Sequence, residues 1–252
     1  MKRSAQDRAA APVRSSIMSR RGILAGLGAL ALSGCVSTPQ MSATPVAPPV
    51  PPAPPAPPPR VTPLMYQAIT DEPFPIPAVD VSRLEERWWR EEDVFYATSE
   101  PRGTVVVDTG AKYLYHVRGE NRADRYGIGV GRQGFAWEGR AVIAYKREWP
   151  RWTPPDSMVA RQPELEPYSI ENGGMDPGPT NPMGARGLYI HQNGVDTIYR
   201  IHGTHQPWSI GRAVSSGCIR LLNHDVIHLH DRVRDGSAIV VIHDGSDRVL
   251  EA

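Results

Sequence analysis

Along this 252-residue chain the hydrophobic and polar positions fall into two regimes. Before residue 100 the apolar side chains sit in one run, residues 23–32, and are otherwise scattered among prolines. From Gly103 onward they come in short alternating or β-branched runs bounded by turn residues, which is the pattern of strands. Residues 104–108, 112–117 and 125–130 predict three strands, the last two linked as a hairpin. Residues 140–146, 187–192 and 196–202 add three more, the last pair joined by the hairpin signal Asn193-Gly194. Val226, Leu229 and Val233 recur at helical spacing, so Asn223 is expected to cap a helix running to Arg234. A strand over 238–242 then closes the domain. A shorter helix is expected to open on Ser82-Arg83-Leu84-Glu85, a capping box that leaves Leu84 and Trp88 on one face against the domain. The fold class is therefore mostly β with one or two short helices.

Between residues 148 and 186 neither period holds, and prolines and glycines interrupt the chain repeatedly. A loop of that length inside a compact domain is usually functional. It reads as an insertion that walls a substrate groove.

Composition changes the picture of the first 60 residues. Eleven of the 21 residues from 39 to 59 are proline, a spacer that reaches about 65 Å in polyproline II form. Residues 1–34 read as an export signal, with Arg20-Arg21 among the basic residues that precede an apolar run too short to span a bilayer. Ser19-Arg20-Arg21-Gly22-Ile23-Leu24 resembles a twin-arginine signal, and Met18 is an alternative start. Leu32-Ser33-Gly34-Cys35 resembles a bacterial lipobox, which would make an acylated Cys35 the first mature residue; the bland alternative is a chance cysteine after an ordinary signal peptide. Val36 rather than aspartate follows, which by analogy with lipoprotein sorting points to the outer membrane of a two-membrane cell. The expected organisation is a signal over 1–34, lipidated Cys35 and linker over 35–60, an N-terminal extension over 61–102, a catalytic domain over 103–243 and a tail over 244–252. Removing residues 1–34 takes six of the 28 basic groups and one of the 27 acidic ones, leaving a formal charge of −4. No basic block survives to serve as a nucleic-acid footprint.

The candidate chemistry lies between Tyr199 and Arg220. If Cys35 is acylated, Cys218 is an unpaired thiol in an exported protein, where idle thiols are disfavoured. A thiol paired with an imidazole makes an acyl-transfer nucleophile, and His202 stands sixteen positions upstream. Strand alternation places Arg200 and His202 on one face, with Gly203 expected to let the chain turn and its carbonyl to orient the ring. Ser215-Ser216-Gly217 supplies a turn whose N–H groups at Gly217 and Cys218 are candidates for an oxyanion hole. The bland readings are a buried structural cysteine and a strand-end histidine that packs and nothing more.

Ile201-His202-Gly203-Thr204 followed by Ser215-Ser216-Gly217-Cys218-Ile219-Arg220 resembles the signature of the L,D-transpeptidase (YkuD-type) catalytic domain. The resemblance extends to Gly103–Asp108, Tyr126–Gly131 and Asn181–Gly184, and covers roughly residues 100–243. It implies a β-sandwich-like fold and a peptidoglycan substrate. It implies Cys218 as nucleophile, His202 as general base, Gly203 as its carbonyl orienter, Gly217 and Cys218 as oxyanion donors, and Arg220 as a site or substrate-carboxylate contact. Ser216 departs from the pattern, since many members have histidine there. Trp208 and the proline-rich loop are expected to cap the acyl intermediate against water. The implied reaction expels the terminal D-alanine of a stem peptide and passes the acyl group to an amine, with wall-anchored outer-membrane proteins among the possible acceptors. A hydrolase and a catalytically silent wall-binding lipoprotein are the competing readings. His224, His228 and His230 are read as solvated helix histidines rather than a metal site, because no HExxH or cysteine cluster accompanies them, and no cofactor is expected.

Overall fold

The computed structural model describes residues 62–131, 138–215 and 217–243. The predicted signal, Cys35, the proline spacer, Ser216 and the C-terminal tail lie outside the described residues. The chain runs β1 (Glu91–Phe95), β2 (Val105–Asp108), β3 (Tyr113–Gly119), β4 (Arg122–Gly127), β5 (Val130–Gly131), β6 (Gly139–Glu148), α1 (Asp156–Val159), β7 (Arg186–Gln192), β8 (Val195–Thr204), β9 (Ala213–Ser215), β10 (Ile219–Leu222), α2 (Asn223–Arg232) and β11 (Ser237–Ile242). Among the described residues nine strands form one sheet, in the order β1-β4-β3-β2-β11-β6-β7-β8-β10, and β5 pairs with β9 in a separate ribbon.

The sheet bends around its largest core. Gly129, just beyond β4, exchanges both backbone hydrogen bonds with Arg220 in β10, at 2.8 and 2.9 Å. Segments from opposite ends of the strand order are thereby joined. Side chains from both halves, Val105, Leu114, Ile143, Leu188, Ile201 and Leu221 among them, then fill one apolar cluster closed by Val226, Leu229 and Val233 of α2. The architecture is mostly β, as the sequence pattern implies.

The outer face of β2–β4 is apolar as well, which is why β2 reads as an unbroken β-branched run. Val106, Tyr113, Tyr115 and Val117 lie there under Tyr66, Val81, Leu84, Trp88 and Tyr96 of the N-terminal extension. The extension is thus packed on the domain, and β1 adds an antiparallel strand to β4. Tyr66 anchors it deeper: its hydroxyl donates to Asp225 at 3.2 Å and accepts the Arg90 backbone N–H at 2.8 Å.

Several local expectations need correction. No helix opens at the capping box; Val81–Arg83 and Glu86–Trp88 are single 3-10 turns, and Asp80 accepts the Ser82 N–H as the cap. Leu84 and Trp88 are nonetheless both buried, because packing rather than helical periodicity orients them. The β3–β4 turn is tighter than the 118–124 expected, confined to Glu120 and Asn121, whose φ values of 54° and 56° make the turn without glycine at either position. Asn193 and Gly194, at φ 52° and 78°, turn β7 into β8 as the sequence signal implies. The helix histidines are not solvated: His224 is buried with Nε2 donating to the Gln67 carbonyl at 2.8 Å, and half-buried His228 meets the Tyr126 hydroxyl at 2.8 Å.

Asn223 does not cap α2. Its Oδ1 accepts the backbone N–H of Ala185 at 3.0 Å. A Cβ on Gly184 or on Gly203 would collide with that same oxygen. The chain does not turn at Gly203, where β8 continues to Thr204; the glycine is there for close approach. Replacing Asn223 with Ala leaves the Ala185 N–H buried without an acceptor, and we expect a loss of about 1–3 kcal/mol in urea unfolding. Unchanged stability would show that the side chain is dispensable.

Candidate active site

β8 carries His202 and pairs in parallel with β10, setting Arg220 beside His202 and Ile219 beside Ile201. Cys218 immediately precedes β10, so the same register places it next to Arg200. The parallel pairing brings together two residues that are sixteen apart in sequence. Cys218 and His202 line one cavity of about 750 Å³. One wall comes from the long loop, with Trp152, Met158 and Leu165, and another from Pro182, Met183 and Tyr189.

His202 is 5% exposed and its Nδ1 lies 2.9 Å from the Gly203 carbonyl oxygen. A carbonyl can only accept, so Nδ1 carries the proton and the ring orientation is set by the backbone. The loop behind the ring is itself pinned. Asn181, 2% exposed, donates from Nδ2 to the carbonyls of Pro150 and Asp176 and accepts the Met183 N–H at 2.8 Å. Gly203 N–H in turn donates to the Met183 carbonyl at 3.0 Å. The segment from Asn181 to Ala185 is therefore locked against the end of β8.

Burial pushes the His202 imidazole down to about 4; the Gly203 and Pro182 carbonyls oppose the shift and the Arg220 charge reinforces it. Burial pushes the Cys218 thiol up, while the Arg200 backbone N–H and the charges of Arg200 and Arg220 pull it back only in part. At neutral pH both groups are uncharged. This is a thiol beside a neutral base rather than a preformed ion pair.

Gly217 holds φ at 137°, a conformation that disfavours any side chain there, and Tyr199 lies beside it. Trp208 does not line the groove. It sits with Arg83 stacked over its ring at 4.0 Å, in a separate cavity shared with Asp80 and His224. The aromatic cap expected from it is thus absent from its expected place.

Arg200 is a groove residue that the sequence reading did not single out. Asp196 grips its guanidinium at 2.6 and 2.7 Å, and the group lies 4.4 Å above the Tyr189 ring. The available signal was strand alternation, which puts Arg200 on the face of His202. Ile198 had no such signal. Its φ of 65° is an outlier for a β-branched residue, held by its N–H donating to Asp196 Oδ1 at 2.8 Å. The bulge it forms turns this exposed side chain to the groove.

A family model described as the L,D-transpeptidase catalytic domain (YkuD) matches residues 102–242. The chain belongs to this family. A Fuscovulum blasticum protein named Putative L,D-transpeptidase in ATP synthase subunits region ORF 5 is 31% identical over 166 residues, covering 65% of this chain and 79% of that one. The Probable L,D-transpeptidase ErfK/SrfK of Escherichia coli is 33% identical over 146 residues, covering 56% of this chain and 44% of its own length. The chain thus spans less than half of that E. coli relative. A solved structure from Brucella melitensis, named a Probable carnitine operon oxidoreductase CaiA, is 41% identical and covers 65% of this chain and 99% of that one, at a TM-score of 0.43.

For this family member, the electrostatics of the groove make a definite forecast. A thiol raised by burial stays protonated until the pH exceeds its ordinary value, so alkylation of Cys218 by iodoacetamide is slow near neutrality. The rate is expected to climb through a midpoint above that of a simple thiol. A plateau reached already between pH 4 and 7 would reveal a preformed thiolate–imidazolium pair and overturn this description.

Proposed function

We propose that this chain is a peptidoglycan L,D-transpeptidase working through a Cys218 thioester. The observation that carries the proposal is the shared groove of Cys218 and His202, with His202 Nδ1 bound to the Gly203 carbonyl. That hydrogen bond leaves Nε2 as the basic atom of a neutral ring.

In the proposed first step His202 Nε2 takes the proton from the Cys218 thiol as sulfur attacks the carbonyl carbon of the third stem residue. The carbonyl oxygen becomes negatively charged, and the N–H groups of Gly217 and Cys218 stabilise it. Collapse breaks the peptide bond to the terminal D-alanine, whose nitrogen receives the proton back from the imidazolium. A thioester remains on Cys218. The amine of a second stem, or of a wall-attached protein, then attacks the thioester and restores the thiol. Arg220, beside His202 in the strand register, disfavours a charged imidazolium in the resting state and offers a guanidinium for a substrate carboxylate.

Hydrolysis is a second reading with an observation behind it. Trp208 lies in another cavity, so it does not shield the thioester from water. In that reading water replaces the amine and the enzyme trims stems. The exported, lipid-anchored setting inferred from residues 1–35 belongs to the same proposal.

Incubating the protein with tetrapeptide muropeptides is expected to release D-alanine and yield cross-linked stems, with an acyl adduct on Cys218 by mass spectrometry. Cys218→Ala should abolish release, and His202→Ala should slow it by about 10²-fold or more. Hydrolysed tripeptides without cross-links would favour the second reading, and no D-alanine release with an intact thiol would refute both. A fatty-acid probe should label the intact chain in cells and leave Cys35→Ser unlabelled; equal labelling would remove the anchor.

A further inference from the structure

A second cavity, of about 470 Å³, opens where the segment before β2, β3, β4 and β11 meet the end of α2. In the strand order β6 stands between this group and the β7–β8–β10 group that forms the Cys218 groove. The volume falls within the range of small-molecule sites, about 300–1,000 Å³.

Its lining is unusually basic. Arg102 comes from the segment before β2, Arg118 from β3, Arg232 from the end of α2 and Arg234 from the turn into β11. Asp124 is the one carboxylate in the wall. It is 1% exposed and already engaged, with Arg118 Nη1 at 3.1 Å and Arg232 Nε at 4.0 Å. Arg102 spends one N–H on the Arg118 carbonyl at 2.9 Å, which steers its guanidinium without neutralising it. Among the described residues neither Arg102 nor Arg234 belongs to an ion pair. His116, 8% exposed, also lines the cavity; neither ring nitrogen has a hydrogen-bond partner, and Nδ1 stands 3.8 Å from Asp124 Oδ2.

Arg118 Nη1 also lies 4.0 Å from Asp93, and Arg232 Nη1 donates to the His228 carbonyl at 3.0 Å. Four guanidiniums still meet only two carboxylates, and their mutual repulsion favours an anion that enters the cavity. The direction of approach narrows the anion. A planar carboxylate is matched by one guanidinium fork, whereas tetrahedral phosphate presents oxygens to donors converging from separate segments. We propose that this cavity binds a phosphate group, free or carried on a lipid headgroup, through Arg102, Arg118, Arg232 and Arg234. The proposal stands independently of the chemistry at Cys218.

The test compares the intact chain with the Arg102→Gln/Arg234→Gln double variant, which spares the Arg118–Asp124 pair and so should fold. Inorganic phosphate and a monomeric short-chain phosphatidic acid are each titrated at constant ionic strength, with sulfate-free chloride buffer and short-chain phosphatidylcholine as controls. A saturable rise in Tm and a calorimetric binding isotherm are expected for the intact chain with at least one of the two phosphates, weakened tenfold or more in the double variant. Binding of inorganic phosphate alone assigns a free phosphate, and binding of phosphatidic acid alone assigns a lipid headgroup. No binding of either, or equal binding by chain and variant, overturns the proposal.

Discussion

The geometry of the groove hangs on one side-chain oxygen. Asn223 Oδ1, buried at the junction of β10 and α2, receives the Ala185 N–H and lies against Gly184 and Gly203. Three chain segments meet there: the end of the long loop, the end of β8 that carries His202, and the start of the helix that closes the core. A Cβ at Gly184 or Gly203 would come within 2.3 and 2.2 Å of that oxygen, so only glycine fits at either position. The His202 ring then takes its orientation from the carbonyl next door, on a strand that cannot shift without breaking this contact. A catalytic geometry held by backbone and a buried amide costs little reorganisation at the moment of reaction.

Burial sets the second constraint. It drives the imidazole down and the thiol up, so both resting groups are neutral; the Arg220 charge supports the neutral ring, while Arg200 and Arg220 offset the shift of the thiol only in part. A neutral pair suits a buried imidazole, whose charged form would require costly desolvation. In the proposed reaction the thiol therefore loses its proton during attack, rather than before substrate arrives. The two arginines contribute in different ways. Arg220 acts on the ring from the adjacent strand, while Arg200 is tied to Asp196 and Tyr189 and flanks the sulfur.

The N-terminal extension is an integral part of the fold. Its aromatic residues cover the outer face of β2–β4, and its β1 protects what would otherwise be the exposed edge of β4. With that side sealed, concave polar surface remains at the Cys218 groove and at the arginine-lined cavity on the other strand group.

Most strands, the Asn193-Gly194 turn, the closing helix and the Cys218 and His202 candidates are legible in the sequence, because alternation, turn chemistry and motif spacing are local signals. The sequence pattern missed β1, whose residues Glu91-Glu92-Asp93-Val94-Phe95 carry no clear alternation, and the short β5 and β9, which exist only through their partners. It read Ser82–Glu85 as a helix start, since a capping pattern is local whereas the decision between helix and turn was made by packing on β2–β4. Long-range packing sets Asn223 against Ala185 rather than its own helix, Arg200 beside Cys218, Trp208 in another cavity, and four arginines from separate segments around one cavity. Each depends on parallel pairing or on contacts between segments far apart in the chain. No local pattern encodes such contacts, because their register is fixed by how the whole sheet closes around its core.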